Sequence, residues 1–200
     1  MQQWILATNN THKVEELKAL LPFAQVLSKA EAGFPDLNPV EDGSTLEENA
    51  RIKAQALKEA LQNNNMWTED TYVLADDTGL FVEGLDGAPG VHSARFAGEE
   101  SSDEENRKKL LACLREKTGE ARNATFKTVL CLMTVHGTHF IEGTLKGCIA
   151  REERGSNGFG YDSVFLLPNG RTLAEISFAE KNKYSHRANA YVNLRKGMQE

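Results

Sequence analysis

Two adjacent carboxylates, Asp76-Asp77, follow the apolar run Tyr72-Val73-Leu74-Ala75 and carry the sharpest chemical signal in the sequence. Neighbouring side chains on extended backbone point to opposite sides, so one can reach a metal ion while the other braces the loop. In open α/β sheets, ligands lie beyond the carboxyl ends of strands, where this pair is expected. Mg²⁺ takes one or two carboxylates, several waters and substrate phosphates. The dipeptide also suits a solvated turn with Asp as a capping residue. A second constellation, Thr8-Asn9-Asn10 with Lys13, lies between an apolar run and a helical pattern. Such a junction offers free N–H groups and a helix dipole to an anion, and Lys13, about a turn in, can reach a phosphate. Many junctions carry Asn and Lys only as caps.

Gly155-Ser156-Asn157-Gly158-Phe159-Gly160-Tyr161-Asp162 is glycine-rich, but its spacing fits neither a Walker A loop nor a G-x-G-x-x-G fingerprint. Phe159 and Tyr161 flank Gly160, so an aromatic ring could stack on a base; a tight turn with core aromatics reads equally well. Lys181, His186 and Arg187 form a late donor cluster suited to a carbonyl oxygen on a base edge. A mismatched buried donor there costs roughly 1–3 kcal/mol. A solvated basic helix start is the plainer alternative. His12, His92, His136 and His139 lack metal-ligand spacing. There is no G-x-S-x-G elbow, and no cysteine has an obvious base partner. Nucleophilic catalysis by a side chain is poorly supported.

The elements that must position these groups follow from periodicity. A strand from Trp4 to Thr8 leads into a helix marked by Val14, Leu17, Leu20 and Leu21, capped by Asn10 or Thr11. Residues 28 to 43 are irregular. Thr45-Leu46-Glu47-Glu48 is a capping box opening a helix to about Leu61, with Leu46, Ala50, Ala54, Leu57 and Leu61 along one face. The short strand Tyr72–Ala75 runs into the acidic pair, and residues 84 to 99 read as loop. Ser102 to Glu105 is a second box, opening a helix with Leu110, Leu111 and Leu114. Strands are expected at Ala124–Val135 and Thr138–Thr144, with Lys146–Glu152 continuing the sheet, and at Val164–Leu167. Ser177 to Glu180 reads as a third box, and a last helix spans about Ser185 to Lys196. Interleaved helices and strands, with consecutive strands in the second half, predict an α/β or α+β fold with a mixed sheet.

Composition bounds the function. The chain has 200 residues, with 23 Lys+Arg against 29 Asp+Glu and a formal net charge of −6. At ~150 residues per domain this is a single domain over residues 1–200, or one domain with two lobes. The acidic balance argues against polymeric nucleic acid, which usually needs a basic face. The longest apolar run, Val129 to Met133, falls far short of the ~20 residues of a membrane span. Trp4-Ile5-Leu6-Ala7 is too short for a signal peptide and no basic region precedes it. Cys113, Cys131 and Cys148 are widely spaced, which favours reduced thiols and a cytoplasmic setting.

The order of the motifs is more specific than any one of them. Thr8-Asn9-Asn10-x-x-Lys13, Glu48-Asn49-Ala50-x-x-Lys53-Ala54 and Ala75-Asp76-Asp77-Thr78-Gly79-Leu80 come first. Gly87-Ala88-Pro89-Gly90 with Ser93-Ala94-Arg95 and Gly158-Phe159-Gly160-Tyr161-Asp162 follow, then Glu175, Glu180-Lys181-Asn182 and Ser185-His186-Arg187. This succession, from about Trp4 to Arg195, closely resembles the inosine triphosphate pyrophosphatase (Ham1-like) family of non-canonical purine nucleoside triphosphate pyrophosphatases. The resemblance implies hydrolysis of ITP, dITP and XTP to monophosphate and pyrophosphate. It also implies a mixed α/β fold with a long central sheet flanked by helices, two lobes with a deep cleft between them, and a homodimer. By matched position, Asp77 would be the general base and, with Glu41, would hold Mg²⁺. Glu48 and Asp76 are further carboxylates that could share the metal. Thr8, Asn9, Asn10, Lys13, Lys53 and Thr78 would handle phosphates and sugar. Phe159, Gly160, Tyr161, Asp162, Lys181, His186 and Arg187 would form the base pocket. Rival readings are a pyrimidine or modified-nucleotide pyrophosphatase on the Maf-like version of the fold, and a nucleotide sensor without turnover.

Overall fold

The computed structural model describes residues 2–22 and 24–197. Strand β1 (Gln3–Leu6) leads into helix α1 (Thr11–Leu20), capped by Asn10, whose side chain accepts the Lys13 N–H at 3.2 Å. Strand β2 (Gln25–Ser28) follows; its QVLS segment is too short for an alternation to register in the sequence. Helix α2 (Leu46–Asn63) opens on the expected box, with Thr45 and Glu48 capping each other, and buries Leu46, Ala50, Ala54, Leu57 and Leu61.

Strand β3 (Thr71–Val82) is longer than its apolar run indicates, so Asp76 and Asp77 lie within a strand and not beyond its end. Asp-Thr-Gly has turn chemistry in isolation. Here the strand continues through it to Val82, and strand β4 (Pro89–Gly90) pairs with its last part at Leu80 and Phe81. Gly79 permits the approach, since a Cβ there would sit 2.6 Å from the Gly90 carbonyl oxygen. Residues 84 to 99, expected as loop, thus hold β4 and a 3-10 turn at Ser93–Arg95.

Helix α3 (Asp103–Cys113) starts at the second capping box, Ser102 with Glu105. Strands β5 (Asn123–Thr134) and β6 (Gly137–Ile149) follow, β6 being continuous where two segments were expected. Strand β7 (Phe165–Leu166) is shorter than predicted. Helix α4 (Phe178–Lys181) makes only half of the third box. Ser177 Oγ accepts the Glu180 N–H at 3.1 Å, while the Glu180 carboxylate bonds Arg171 and the Tyr184 hydroxyl. A box the sequence reading passes over, Thr172 with Glu175, precedes it. Helix α5 (His186–Gly197) closes the chain. Strand order is β2-β1-β3-β5-β6-β7, with β4 on β3. β1 runs parallel to β2 and β3, whereas the β3–β4 and β6–β7 pairs are antiparallel, so the sheet is mixed.

The chain divides into two compact units. The first comprises Met1–Asp77, Val129–Glu142 and Ala190–Glu200; the second comprises Thr78–Thr128 and Gly143–Asn189. In the first, β1 and its neighbouring stretches of β3 and β5 are buried on both faces, which explains their unbroken apolar runs. Trp4, Leu6, Leu74, Leu130 and Leu132 pack with Val14 and Leu17 of α1 and Leu194 of α5. The alternate residues Ile5, Val73, Ala75, Cys131 and Met133 pack with Ala50, Ala54, Leu57 and Leu61 of α2. The second unit has one core, where Leu80, Val82, Phe126, Phe165 and Ile149 meet Leu110 and Leu114. Buried Arg122 ties this core's polar ends together, donating to the carbonyls of Leu114 at 2.6 Å and Ile149 at 2.7 Å. Cys113, Cys131 and Cys148 are free thiols, and burial pushes that of Cys131 up to about 12. Among the described residues no helix is long and apolar enough to cross a membrane.

The capping carboxylates generate a pH dependence. Hydrogen bonds from Ser44 to Glu48, from the Ser102 backbone to Glu105, and from the Thr172 backbone to Glu175 hold all three below the usual carboxylate range. A depressed folded-state pKa contributes stability that is present above the unfolded value and lost as pH falls through the folded one. Between about pH 6 and about pH 3, the melting temperature of the Glu48→Gln/Glu105→Gln/Glu175→Gln variant should fall less steeply than that of the parent. Parallel melting curves against pH would refute this origin.

Candidate active site

The acidic pair sits where the period of a strand meets two helices. Along β3, Tyr72 and Leu74 belong to the α1 side of the first unit, and Val73 and Ala75 to the α2 side. Continuing that alternation sends Asp76 toward α1 and Asp77 toward α2. Lys13, in the first turn of α1, forms an ion pair with Asp76 Oδ1. Lys53 of α2 donates to Asp77 Oδ1 at 2.6 Å and lies 3.0 Å from Glu41 Oε2. Both aspartates are buried, Asp76 at 5% exposure and Asp77 at 9%. Burial pushes the Asp77 carboxyl up from the usual carboxylate range, against the pull of Lys53. Burial works against the Lys53 ammonium too, but Asp77 and Glu41 overcome it and hold that group above the usual lysine range. Glu41 and Asp77 thus converge on one ammonium. Glu48 is committed to its cap, accepting from Ser44 N and Oγ at 2.7 Å each.

The irregular stretch that delivers Glu41 is pinned from below. Buried Lys29 donates to the Leu37 carbonyl and, at 2.9 Å, to Asn38 Oδ1. Its burial draws the ammonium below the usual lysine range, against Glu41 and Asp36. Asn9 Nδ2 donates to the Pro35 carbonyl at 2.8 Å, and buried Asn49 accepts the Gly43 N–H at 2.9 Å. Thr8 Oγ1 accepts the Asn10 N–H at 3.1 Å. Thr8, Asn9 and Asn10 therefore shape the junction with their own side chains. Sequence reasoning missed Lys29, which no periodicity marks. Asn49 left a readable trace, a polar residue inside the apolar stripe of α2.

In the second unit two of the late donors, Lys181 and Arg187, meet at the Phe159 ring, while His186 stacks elsewhere. Lys181, His186 and Arg187 are all buried, with Lys181 Nζ 2.7 Å from Asp162 Oδ2. The Phe159 ring is half-buried, with Lys181 Nζ 4.8 Å and Arg187 Cζ 5.8 Å from its centroid. His186 stacks on Phe126 at 4.6 Å. Arg187 Nη2 donates to Thr78 Oγ1 at 3.4 Å, and the Thr78 and Thr128 hydroxyls are 2.6 Å apart. Asp162 also accepts the Phe159 N–H at 3.0 Å. That turn requires glycine at 158, where φ is +78° and a Cβ would lie 2.1 Å from Asp162 Oδ2. Tyr161 has another place: its ring is in the core and its hydroxyl donates to the Ser93 carbonyl at 2.7 Å. Of the two aromatic rings, Phe159 is the one with surface to offer a base. Arg187, buried in the first turn of α5, is a cation at the end of a helix whose dipole disfavours positive charge.

The model of the Ham1 family matches residues 4–197. A dITP/XTP pyrophosphatase of Thermoanaerobacter sp. (strain X514) is 47% identical over 194 residues, covering 96% of this chain and 93% of the relative. One from Halalkalibacterium halodurans is 42% identical and covers 98% of both. Among solved structures, the Staphylococcus aureus Ham1 protein superposes with a TM-score of 0.84 at 38% identity, over 99% of this chain and 98% of that one. A HAM1 protein from Coxiella burnetii gives 0.82 at 36% identity, over 100% and 99%.

The pinning of Glu41's segment is testable on its own. Lys29→Met should leave the melting temperature within a few degrees, because nearby water can reach the freed acceptors, while limited proteolysis between Ala30 and Gly43 speeds up about tenfold, as for a locally opened segment. Unchanged cleavage there would show that the segment holds without the ammonium.

Proposed function

Because this chain belongs to the Ham1 family, we propose that it hydrolyses the triphosphates of deaminated purines, ITP, dITP and XTP, to the nucleoside monophosphate and pyrophosphate. The observation that carries this reading is the convergence of Glu41 and Asp77 on Lys53, at 3.0 and 2.6 Å, beside the Lys13–Asp76 pair. Phosphoanhydride hydrolysis demands charge neutralisation and a positioned water more than covalent chemistry. Lys13 and Lys53 offer the charge, and Asp77 is the carboxylate to accept the water's proton. Burial, by raising its pKa, brings that base closer to neutral pH, where a general base works best. The water oxygen bonds to phosphorus as the anhydride P–O bond breaks, and pyrophosphate leaves.

The donor set of Glu41 and Asp77 suits Mg²⁺, a hard cation that asks for one or two carboxylates and takes its other ligands from water and phosphate. Among the described residues no group of three or more His, Cys, Asp or Glu side chains could hold a metal ion. Bound between these two residues, Mg²⁺ would neutralise the triphosphate. The purine falls to Phe159, Lys181, His186 and Arg187, whose donors suit the 6-oxo group that adenine lacks. A homodimer accords with the family resemblance, and the widely spaced free cysteines favour a cytoplasmic setting.

Pyrophosphate release should be measured from ITP, XTP, ATP, GTP and dTTP, with Mg²⁺ or EDTA. Fast, EDTA-sensitive turnover of ITP and XTP with much slower ATP is expected; equal rates on ATP and ITP would overturn the base preference. Asp77→Asn should still bind ITP while losing at least ~100-fold in turnover, the low end for removing a general base. Near-normal turnover would move the role to another carboxylate, with Asp76 next.

A further inference from the structure

The segment carrying Phe159 has no regular structure, and one helix holds it. Asp103 Oδ2 accepts the Gly160 N–H at 2.8 Å, and Arg107 Nη1 donates to the Gly160 carbonyl at 2.9 Å. Four residues apart, the two side chains share one face of α3. They grip the backbone on both sides of the Gly160 Cα, directly after Phe159. Gly160 has φ +60° and nothing within 4 Å of a would-be Cβ, so glycine is needed there for the backbone path alone. Arg107 is itself oriented: its Nε donates at 2.7 Å to Glu153 Oε2, which also accepts from Ser163 Oγ at 2.9 Å. The helix is in turn anchored by buried Asn106, which accepts the Ala97 N–H at 2.7 Å and donates to the Ala94 carbonyl at 3.0 Å. Leu110 fixes it in the core. Asp162 grips the same segment from its other side through the Phe159 N–H.

We propose that Asp103 and Arg107 are positioning residues for purine recognition: by clamping Gly160 they fix the Phe159 ring over the Lys181 and Arg187 cations. Neither touches the base. They act through the backbone, and the inference rests on the base-pocket reading above. Loosening the clamp costs order in the bound segment, so it weakens nucleotide binding and leaves the hydrolytic step alone.

The test measures kcat and KM for ITP and GTP, and the Kd of ITP in EDTA by calorimetry, for Asp103→Ala, Arg107→Ala, the double variant, Arg107→Lys and Arg187→Ala. Asp103→Asn stands in should Asp103→Ala fail to fold, and Lys108→Ala, on the same helix, is the control. Each single clamp variant should raise KM and Kd for ITP about tenfold, roughly the worth of one hydrogen bond to a charged group, with kcat within about twofold. The double variant should be little worse than either single, because both hold one segment. Arg107→Lys should recover part of the loss. Unchanged KM and Kd in the clamp variants while Arg187→Ala raises both would overturn the clamp and spare the base pocket. Unchanged values in Arg187→Ala as well would overturn the base pocket and the clamp with it. A fall in kcat alongside melting temperature, without a shift in KM or Kd, would also overturn it by assigning a structural role.

Discussion

A carboxylate in the middle of a strand covered on both faces stays charged only if a cation is brought to it, and β3 carries two such carboxylates in succession. An uncompensated buried charge costs several kcal/mol. The first unit meets this cost with geometry. Strand alternation sends the two side chains to opposite faces, and each covering helix supplies one lysine from its own sequence, Lys13 from α1 and Lys53 from α2. The positions of both helices are therefore coupled to the electrostatics of the strand between them. Glu41 enters the same arrangement from an irregular segment, held by buried Lys29 from within and by Asn9 and Asn49 from the neighbouring elements.

The second unit solves a related problem differently. Two of its buried cations, Lys181 and Arg187, lie at helix ends next to an aromatic ring. Asp162 is the hinge of the arrangement. One of its oxygens takes both the Lys181 ammonium and the Phe159 N–H, so the position of the ring and that of the cation are set by a single carboxylate. Gly158 is the steric condition for that bond, because any side chain there would occupy the place of the carboxylate oxygen.

What was legible in the sequence divides along local and non-local lines. Capping boxes at Thr45 and Ser102 and the apolar face of α2 are local patterns, and they appear where expected. The mixed sheet followed from the order of elements. The course of β3 past Asp77 did not, because its partners there are distant in sequence: β5, and β4, a two-residue strand inside a glycine-rich stretch whose pairing no local pattern announces. Tyr161 illustrates the same limit. Its neighbours mark it as part of a ligand loop, yet its hydroxyl is satisfied by Ser93, distant in sequence, and its ring packs in the core. Asp103 and Arg107 read as ordinary surface charges on a helix; only the fold brings Gly160 to them.

The mid-strand placement of Asp77 has an evolutionary consequence. A group proposed to react, when carried by the ladder of a sheet, shares the fate of the fold itself, so mutations that move it are removed with those that unfold the chain. The groups proposed for the base lie instead in the other compact unit, on a turn and at helix ends. Drift in substrate range and conservation of chemistry can then proceed on separate parts of one chain. A lineage can retune which base it accepts while inheriting its hydrolytic step unchanged.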